Sequence, residues 1–495
     1  MKDLTKTEKQ NLKKINDYAF RYCFNLTSVT IPESITQIGK SAFDACPKLV
    51  EVINHSSLNI EKGSEDFGGI AYYALKVHTG KSEIDKKDDF IFYSYENTNY
   101  LLGYTGDSTI LVLPQNYNNN PYEIYTYAFA NQINIISITI PEGVTNIHDE
   151  AFMNSNRLFE VINKSSLNIE KGAETFGEIA KYAFKVHAGK SEIVNQNNYI
   201  FFADNGTNYL ISYIGNDKDI VLPEDYNGQT YEIYSRAFTL APITNVTIPN
   251  TVTNIAEYAF IGSENLTTVT LGDGITQIGK DAFVDCPKLT TVNFGTNLTN
   301  IGSSAFLNCT LLTDVSLPKS LTNIGSLAFS NCSSITSITI PENVTHIGES
   351  AFANCANLTN IDISDNITTV GTNAFGNCNK LPYNIHNNAK YLGTAENPYM
   401  ILIELTNTKV NNISVHKDTK IICDSALSFA YSITDITVDN NNNYYTSIDG
   451  NLYTKDKKTL IKYAIAKEDK SFTIPNSVIT ISRSAFENCS NLETI

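Results

Sequence analysis

The chain has 495 residues, 42% hydrophobic and 18% charged, so it can bury a large core and is not disordered by composition. Its formal net charge of −16 argues against nucleic acid, whose phosphates require clustered Lys and Arg. No apolar run reaches the roughly 18 residues needed to span a membrane. Nine cysteines, an odd number spread over nearly 500 residues, do not make a disulfide scaffold.

Residues 1–11 are polar, with no apolar stretch resembling a signal peptide. They are a candidate end-cap. From Leu12 to the end, 12–495, the chain is expected to form one continuous solenoid. Leu12 and Ile15 match the second half of a repeat whose strand half is missing. Phe20 and Phe43 each close an Ala-Phe signature. The signature recurs at Phe129, Phe152, Phe238 and Phe260, then at Phe283, Phe306, Phe329, Phe352 and Phe375 with a constant step of 23, and again at Phe486. Leu427 holds an imperfect copy. A fixed period in the twenties with regularly placed Leu, Ile and Val marks a leucine-rich solenoid.

One block, LTDVSLPKSLTNIGSLAFSNC from Leu312, shows why. Alternating Val315 and Leu317 read as a half-buried strand, which Pro318 ends because it supplies no ladder donor. A second short run, Leu321 to Ile324, leads to a Gly that permits a bend. Ala328, Phe329 and Cys332 then fit one helical turn, with Phe329 a core plug and Cys332 pointing inward. One block cannot enclose a core alone, whereas blocks stacked about 4.8 Å apart can. The expected fold class is therefore a leucine-rich-repeat solenoid, mainly β with short helical turns, elongated and curved. Residues 238–378 carry its regular repeats.

Two long insertions interrupt the period. Residues 44–128 and 153–237 are copies offset by 109, each adding 63 residues to one repeat. Each starts with a helical pattern, near Gly69 to Val77 and Glu178 to Val186, and continues as hairpin-like text. Irregular hairpin-bearing repeats follow over 379–484. A truncated repeat, 485–495, ends at NLETI where a strand should begin. The insertions are expected to stay in the stack while projecting hairpins or a helix from one edge. Because solenoids need polar caps, the bare ends suggest a fragment of a longer protein.

The motif L-x-x-V-x-I-P-x-x-V-T-x-I-G-x-x-A-F-x-x-C resembles the BspA-type, or Treponema-type, leucine-rich-repeat family over essentially the whole chain. That resemblance implies bacterial cell-surface display and adhesion to host or neighbouring-cell proteins. It offers no catalytic residues to carry over.

Candidate chemistry is sparse. Eight cysteines sit three residues after the signature Phe, and neighbouring layers bring them within disulfide range. They read as small buried hydrophobes all the same, since Gln132, Ser155, Ser263 and Ala430 replace them elsewhere. GKS at Gly80–Ser82 and Gly189–Ser191 lacks the first glycine of a phosphate loop, Leu75 and Phe184 standing there. DNNNNYYTSIDG from Asp439 lacks the glycine and terminal glutamate of a calcium loop. The seven histidines show no catalytic or metal-ligand spacing. No cofactor and no metal site is expected, and the protein is read as not an enzyme.

The outward strand positions hold the candidate site: Thr291, Asn293, Asp314, Ser316, Ser337, Thr339, Asn360 and Asp362. This small polar sheet, with a few acids, suits protein or glycan contact through hydrogen bonds, or is simply a solvated face. The expected function is a non-catalytic, monomeric protein-binding or adhesion solenoid displayed on a cell surface; the alternative is a structural spacer within a larger surface protein.

Overall fold

The computed structural model describes residues 12–239, 241–407, 409–424, 426–428 and 431–495. The proposed cap over 1–11, and Ala430 at its cysteine position, lie outside them. The chain packs as two compact units, the first ending at Glu192 and the second spanning Ile193–Ile495.

In the second unit each repeat makes one solenoid turn with two strands. The first line of strands, Asp219–Val221, Asn245–Ile248, Thr268–Leu271, Thr291–Asn293 and Asp314–Val315, forms one parallel sheet. Its register steps by a whole repeat, with Val269 beside Val292 and Val292 beside Val315. The second line runs through Val252–Ile255, Gln277–Ile278, Asn300–Ile301, Asn323–Ile324 and His346–Ile347 to Thr369–Val370. All but the first of these strands are two residues long and were not legible as strands, because a single inward Ile or Val gives no alternation to read. The inward Val, Ile and Leu of both lines meet in one buried column.

The third side of the turn is not helical. In Gly325–Cys332, the N–H groups of Ala328, Ser330 and Cys332 donate to the carbonyls three residues back. Those of Leu327, Phe329 and Asn331 donate to Glu349, Ala351 and Ala353 in the next layer. That alternation requires left-handed residues, and Leu327 (φ 59°) and Asn331 (φ 61°) supply them. Asn, which tolerates this region best after Gly, recurs at the equivalent Asn308, Asn354, Asn377 and Asn488. Gly325 is needed for a different reason than a bend. A Cβ there would lie 2.6 Å from the Ser303 nitrogen, so glycine allows close approach of the layer below.

The signature phenylalanines form a ladder. From Phe238 to Phe375 successive rings lie 4.4–5.7 Å apart and within 10° of parallel. The cysteines make a second ladder. Cys332 Sγ donates to the Phe306 carbonyl at 3.2 Å and Cys355 Sγ to that of Phe329 at 3.3 Å, each reaching back one layer. Ser155 does the same toward Phe129 at 2.7 Å, which explains why Ser substitutes for Cys there. All nine cysteines are free thiols.

The first unit stacks in the same way. Ser28–Ile31, Glu51–Asn54 and Lys76–His78 pair in parallel, as do Ile110–Val112, Ser137–Ile140, Glu160–Asn163 and Lys185–His187. The helices expected in the insertions shrink to single turns, Asp66–Gly69 and Phe176–Glu178, each containing left-handed residues. Strands Lys76–His78 and Lys185–His187 follow them instead, so Val77 and Val186 pair beside Val52 and Val161. The hairpins also do not merely project. Thr98–Tyr104 pairs in parallel with Tyr122–Ile124, while Phe90–Tyr95 and Asp85–Lys87 extend the same sheet antiparallel. The insertion thereby covers a sheet edge that would otherwise offer unpaired backbone groups. In the second unit Val194–Gln196 and Tyr199–Asp204 cover the edge of Thr207–Tyr213 in the same manner.

Candidate binding face

The alternation of the first strand line fixes which side chains leave the core. Val292, Val315 and Ile338 turn inward and are buried, so their neighbours must turn outward. Asn293, Asp314, Ser316, Ser337, Thr339, Asn360 and Asp362 are exposed and Thr291 is half-buried. Thr291 stands beside Asp314, Ser337 beside Asn360, and Thr339 beside Asp362. Ladder pairing lapses between Asp314–Val315 and Ser337–Thr339, and Ser316 lies just past its strand. The eight positions therefore form two ladders rather than one unbroken strip. Pro318, two residues after Ser316, cannot donate to a ladder, consistent with a strand only two residues long there.

The chemistry of the face is that of free polar groups. Asn293 Nδ2 donates to Thr270 Oγ1 at 3.1 Å. Among the described residues, the side chains of Asp314, Ser316, Ser337, Thr339, Asn360 and Asp362 make no hydrogen bond or ion pair. The adjoining threonines are occupied instead. Thr290, Thr313 and Thr359 each donate to the carbonyl one repeat back, at 3.1–3.3 Å, pinning layer to layer. Nothing in the repeat consensus separates those bonded threonines from the free ones except their phase relative to the inward Val or Ile.

The other singled-out motifs prove structural. His78 and Ser82, from the first insertion, surround the fully buried Glu51. His78 Nε2 lies 3.1 Å from its carboxylate, Ser28 and Ser82 donate at 2.6 and 2.5 Å, and the Glu83 N–H donates at 2.7 Å. Gly80 N–H donates to His78 Nδ1 at 3.1 Å, which leaves the ring proton on Nε2, aimed at Glu51. Burial pushes Glu51 toward a higher pKa, but these donors outweigh it and hold the carboxyl below its ordinary value. The second copy repeats the arrangement around Glu160 with His187, Ser137, Ser191 and the Glu192 N–H. GKS is thus a clasp on a buried carboxylate.

The Asp439 segment is a polar turn organised by buried Asn442, whose amide donates to the carbonyls of His416 and Thr419 and whose oxygen accepts from the N–H groups of Tyr444 and Tyr445. The fold also brings two histidines together that lie 30 residues apart in sequence: His386 and His416 sit 4.8 Å apart, with Tyr399 stacked on His416 at 4.1 Å. Burial, and next the nearby His386, holds His416 below its ordinary pKa. Among the described residues no group of three His, Cys, Asp or Glu is placed to hold a metal, and no helix is long and apolar enough to cross a membrane.

Comparison with known families matches the BspA type leucine-rich repeat region in six copies, over residues 3–100, 122–204, 231–356, 288–396, 347–467 and 463–495. Among solved structures, a leucine-rich cell-surface protein of Faecalibacterium prausnitzii is 24% identical, covering 62% of this chain and 77% of that one, with a TM-score of 0.32. A leucine-rich-repeat protein of Bacteroides ovatus is 20% identical, covering 86% and 88%, with a TM-score of 0.31. That of T. pallidum is 22% identical, covering 38% and 90%, with a TM-score of 0.30. No curated protein matches.

Proposed function

This chain belongs to the BspA-type leucine-rich-repeat family, and we propose that it is a non-catalytic binding solenoid, displayed on a cell surface and adhering to proteins of a host or neighbouring cell. The observation that carries the reading is the outward strand face, whose polar side chains satisfy one another so little. Such free donors and acceptors are open to a hydrogen-bonding partner. Its acids, Asp314 and Asp362, favour a partner with complementary basic groups and give it a salt-dependent on-rate. The name of the Faecalibacterium relative, a cell-surface protein, supports the location.

The test is saturable binding to immobilised extracellular-matrix and surface proteins, with wild type set against Ser337→Arg/Asn360→Arg. The double variant is expected to fold normally and to lose at least tenfold in affinity for any ligand found. Saturable binding that the variant leaves intact would move the site off this face. No saturable binding at all would leave the chain as a spacer that lengthens a larger surface protein.

A further inference from the structure

Lysine in this repeat has a standard place. In the block ending at Cys286 the next residues are Pro-Lys-Leu, and exposed Lys288 donates to Asn265, 23 residues earlier, at 3.0 Å. Lys380 does the same toward Asn357 at 2.7 Å. Lys48 stands in the same Pro-Lys-Leu setting, and Asn25 is its equivalent partner 23 residues earlier.

Lys48 does not follow the pattern. Only 5% of it is exposed, and among the described residues its ammonium has no hydrogen-bond or ion-pair partner. The first insertion is the cause, because Leu102 to Gly106 folds over it. Gly103 is next to the amine, a Cβ there lying 3.8 Å from Lys48 Nζ, in ordinary contact. Burial pushes the ammonium down to about 8, with no carboxylate offsetting it. A cavity of about 360 Å3 remains beside it, lined by Asn25, Thr27, Lys48, Thr105, Tyr104 and Gln132 among others. That volume lies within the range of small-ligand sites, about 300–1,000 Å3.

The duplicated unit supplies an internal control. At the positions 109 further on, Thr27, Thr105 and Gln132 become Ile136, Ile214 and Ala241, and Lys48 becomes Arg157. Arg157 donates to the Ile133 carbonyl at 3.3 Å. In sequence the copy thus keeps Asn25 and Tyr104, as Asn134 and Tyr213, but replaces two hydroxyls and an amide by apolar side chains. An inherited structural feature would be expected in both.

We propose that this cavity of the first unit binds the carboxylate of a sugar acid, with Lys48 as its counter-ion. A single ammonium matches a singly charged anion; a phosphate dianion would be left half-neutralised, with no second cation or guanidinium fork lining the cavity. Asn25, Thr27 and the side-chain oxygens of Thr105 and Gln132, whose donors reach the Asp89 and Tyr104 carbonyls, suit a polyhydroxylated ring, whereas an apolar acid would strip their water and return no hydrogen bond. The site is separate from the strand face, so either can fail without the other.

Calorimetric titration of the full chain with glucuronate tests it, with glucose and a short glutamate-containing peptide as comparisons. Wild type should bind glucuronate saturably and glucose at least tenfold more weakly. Lys48→Met should lose tenfold or more in glucuronate affinity. Thr105→Ile, which copies the second unit at an exposed position, should weaken binding severalfold and keeps the test open should the first variant not fold. Absence of glucuronate binding, or binding indifferent to both substitutions, would overturn the proposal. Lys48-dependent binding of the peptide without glucuronate would overturn the sugar assignment.

Discussion

Phe329 is fully buried between Phe306 and Phe352, at 5.3 and 5.4 Å, so its ring contacts the layers on both sides. Removing it leaves a void that neighbouring layers cannot close without shortening the stack. Phe329→Ala is expected to cost about 3–5 kcal/mol, measured as a shift of the urea midpoint of the second unit; a negligible shift would mean the ring does not bear on the core. Cys332 is equally buried, and burial pushes its thiol up to about 12, making it a poor nucleophile at neutral pH. The place of Phe329 in the core is readable from sequence, because a large apolar residue at a fixed step has nowhere else to go. The left-handed turn around it is not. Its signal is the Asn that so often precedes the Cys, and that signal is blurred where Ala45 or Tyr22 takes the left-handed position.

At the scale of the element, the insertions hold together through polar clasps as well as apolar ones. Glu51 joins strand Glu51–Asn54 to the loop Gly80–Glu83 and has four donors around it. Glu51→Ala would remove the acceptor that these part-buried and exposed donors share, at a cost of about 1–3 kcal/mol. Acid should act on the same point. Because the folded carboxyl titrates below its unfolded value of about 4.3, its stabilisation is complete above that value and fades as pH falls through the lower folded one. Amide exchange over 76–95 is expected to accelerate below pH 4 in wild type, and to be fast and nearly pH-insensitive, apart from intrinsic exchange, in Glu51→Ala. Equal protection in both proteins would remove the clasp from the account. The two copies of this clasp could be seen as duplicated text, since VINHSS and VINKSS align on sight. What the Ser of GKS does could not, because its partner is 31 residues away and the motif resembles a phosphate loop. The helical pattern after Gly69 misled for a related reason: spacing of apolar residues through tight turns imitates 3.6 periodicity over one or two turns.

At the scale of the whole molecule, the energetic unit is the layer and its interface. Registers in the regular repeats advance by one repeat at every strand pair, from Thr268 beside Thr291 to His346 beside Thr369. The hydroxyl, Phe and Cys ladders advance by the same step, so no contact within the regular repeats depends on a particular repeat being present. The layers on either side of a deleted repeat should therefore dock on each other. Removing residues 284–306, one full period, joins Phe283 to Leu307 and restores the consensus phase. The shortened protein is expected to fold cooperatively with a urea m-value reduced in proportion to the surface lost, and a stability lowered by about one interface. Removing only 284–295 deletes half a turn, brings outward positions such as Thr296 to where Val and Ile belong, and should leave the second unit unfolded or aggregated. If both deletions unfold it equally, the repeats are not interchangeable, and the strand face then depends on the exact array that carries it rather than on a modular scaffold.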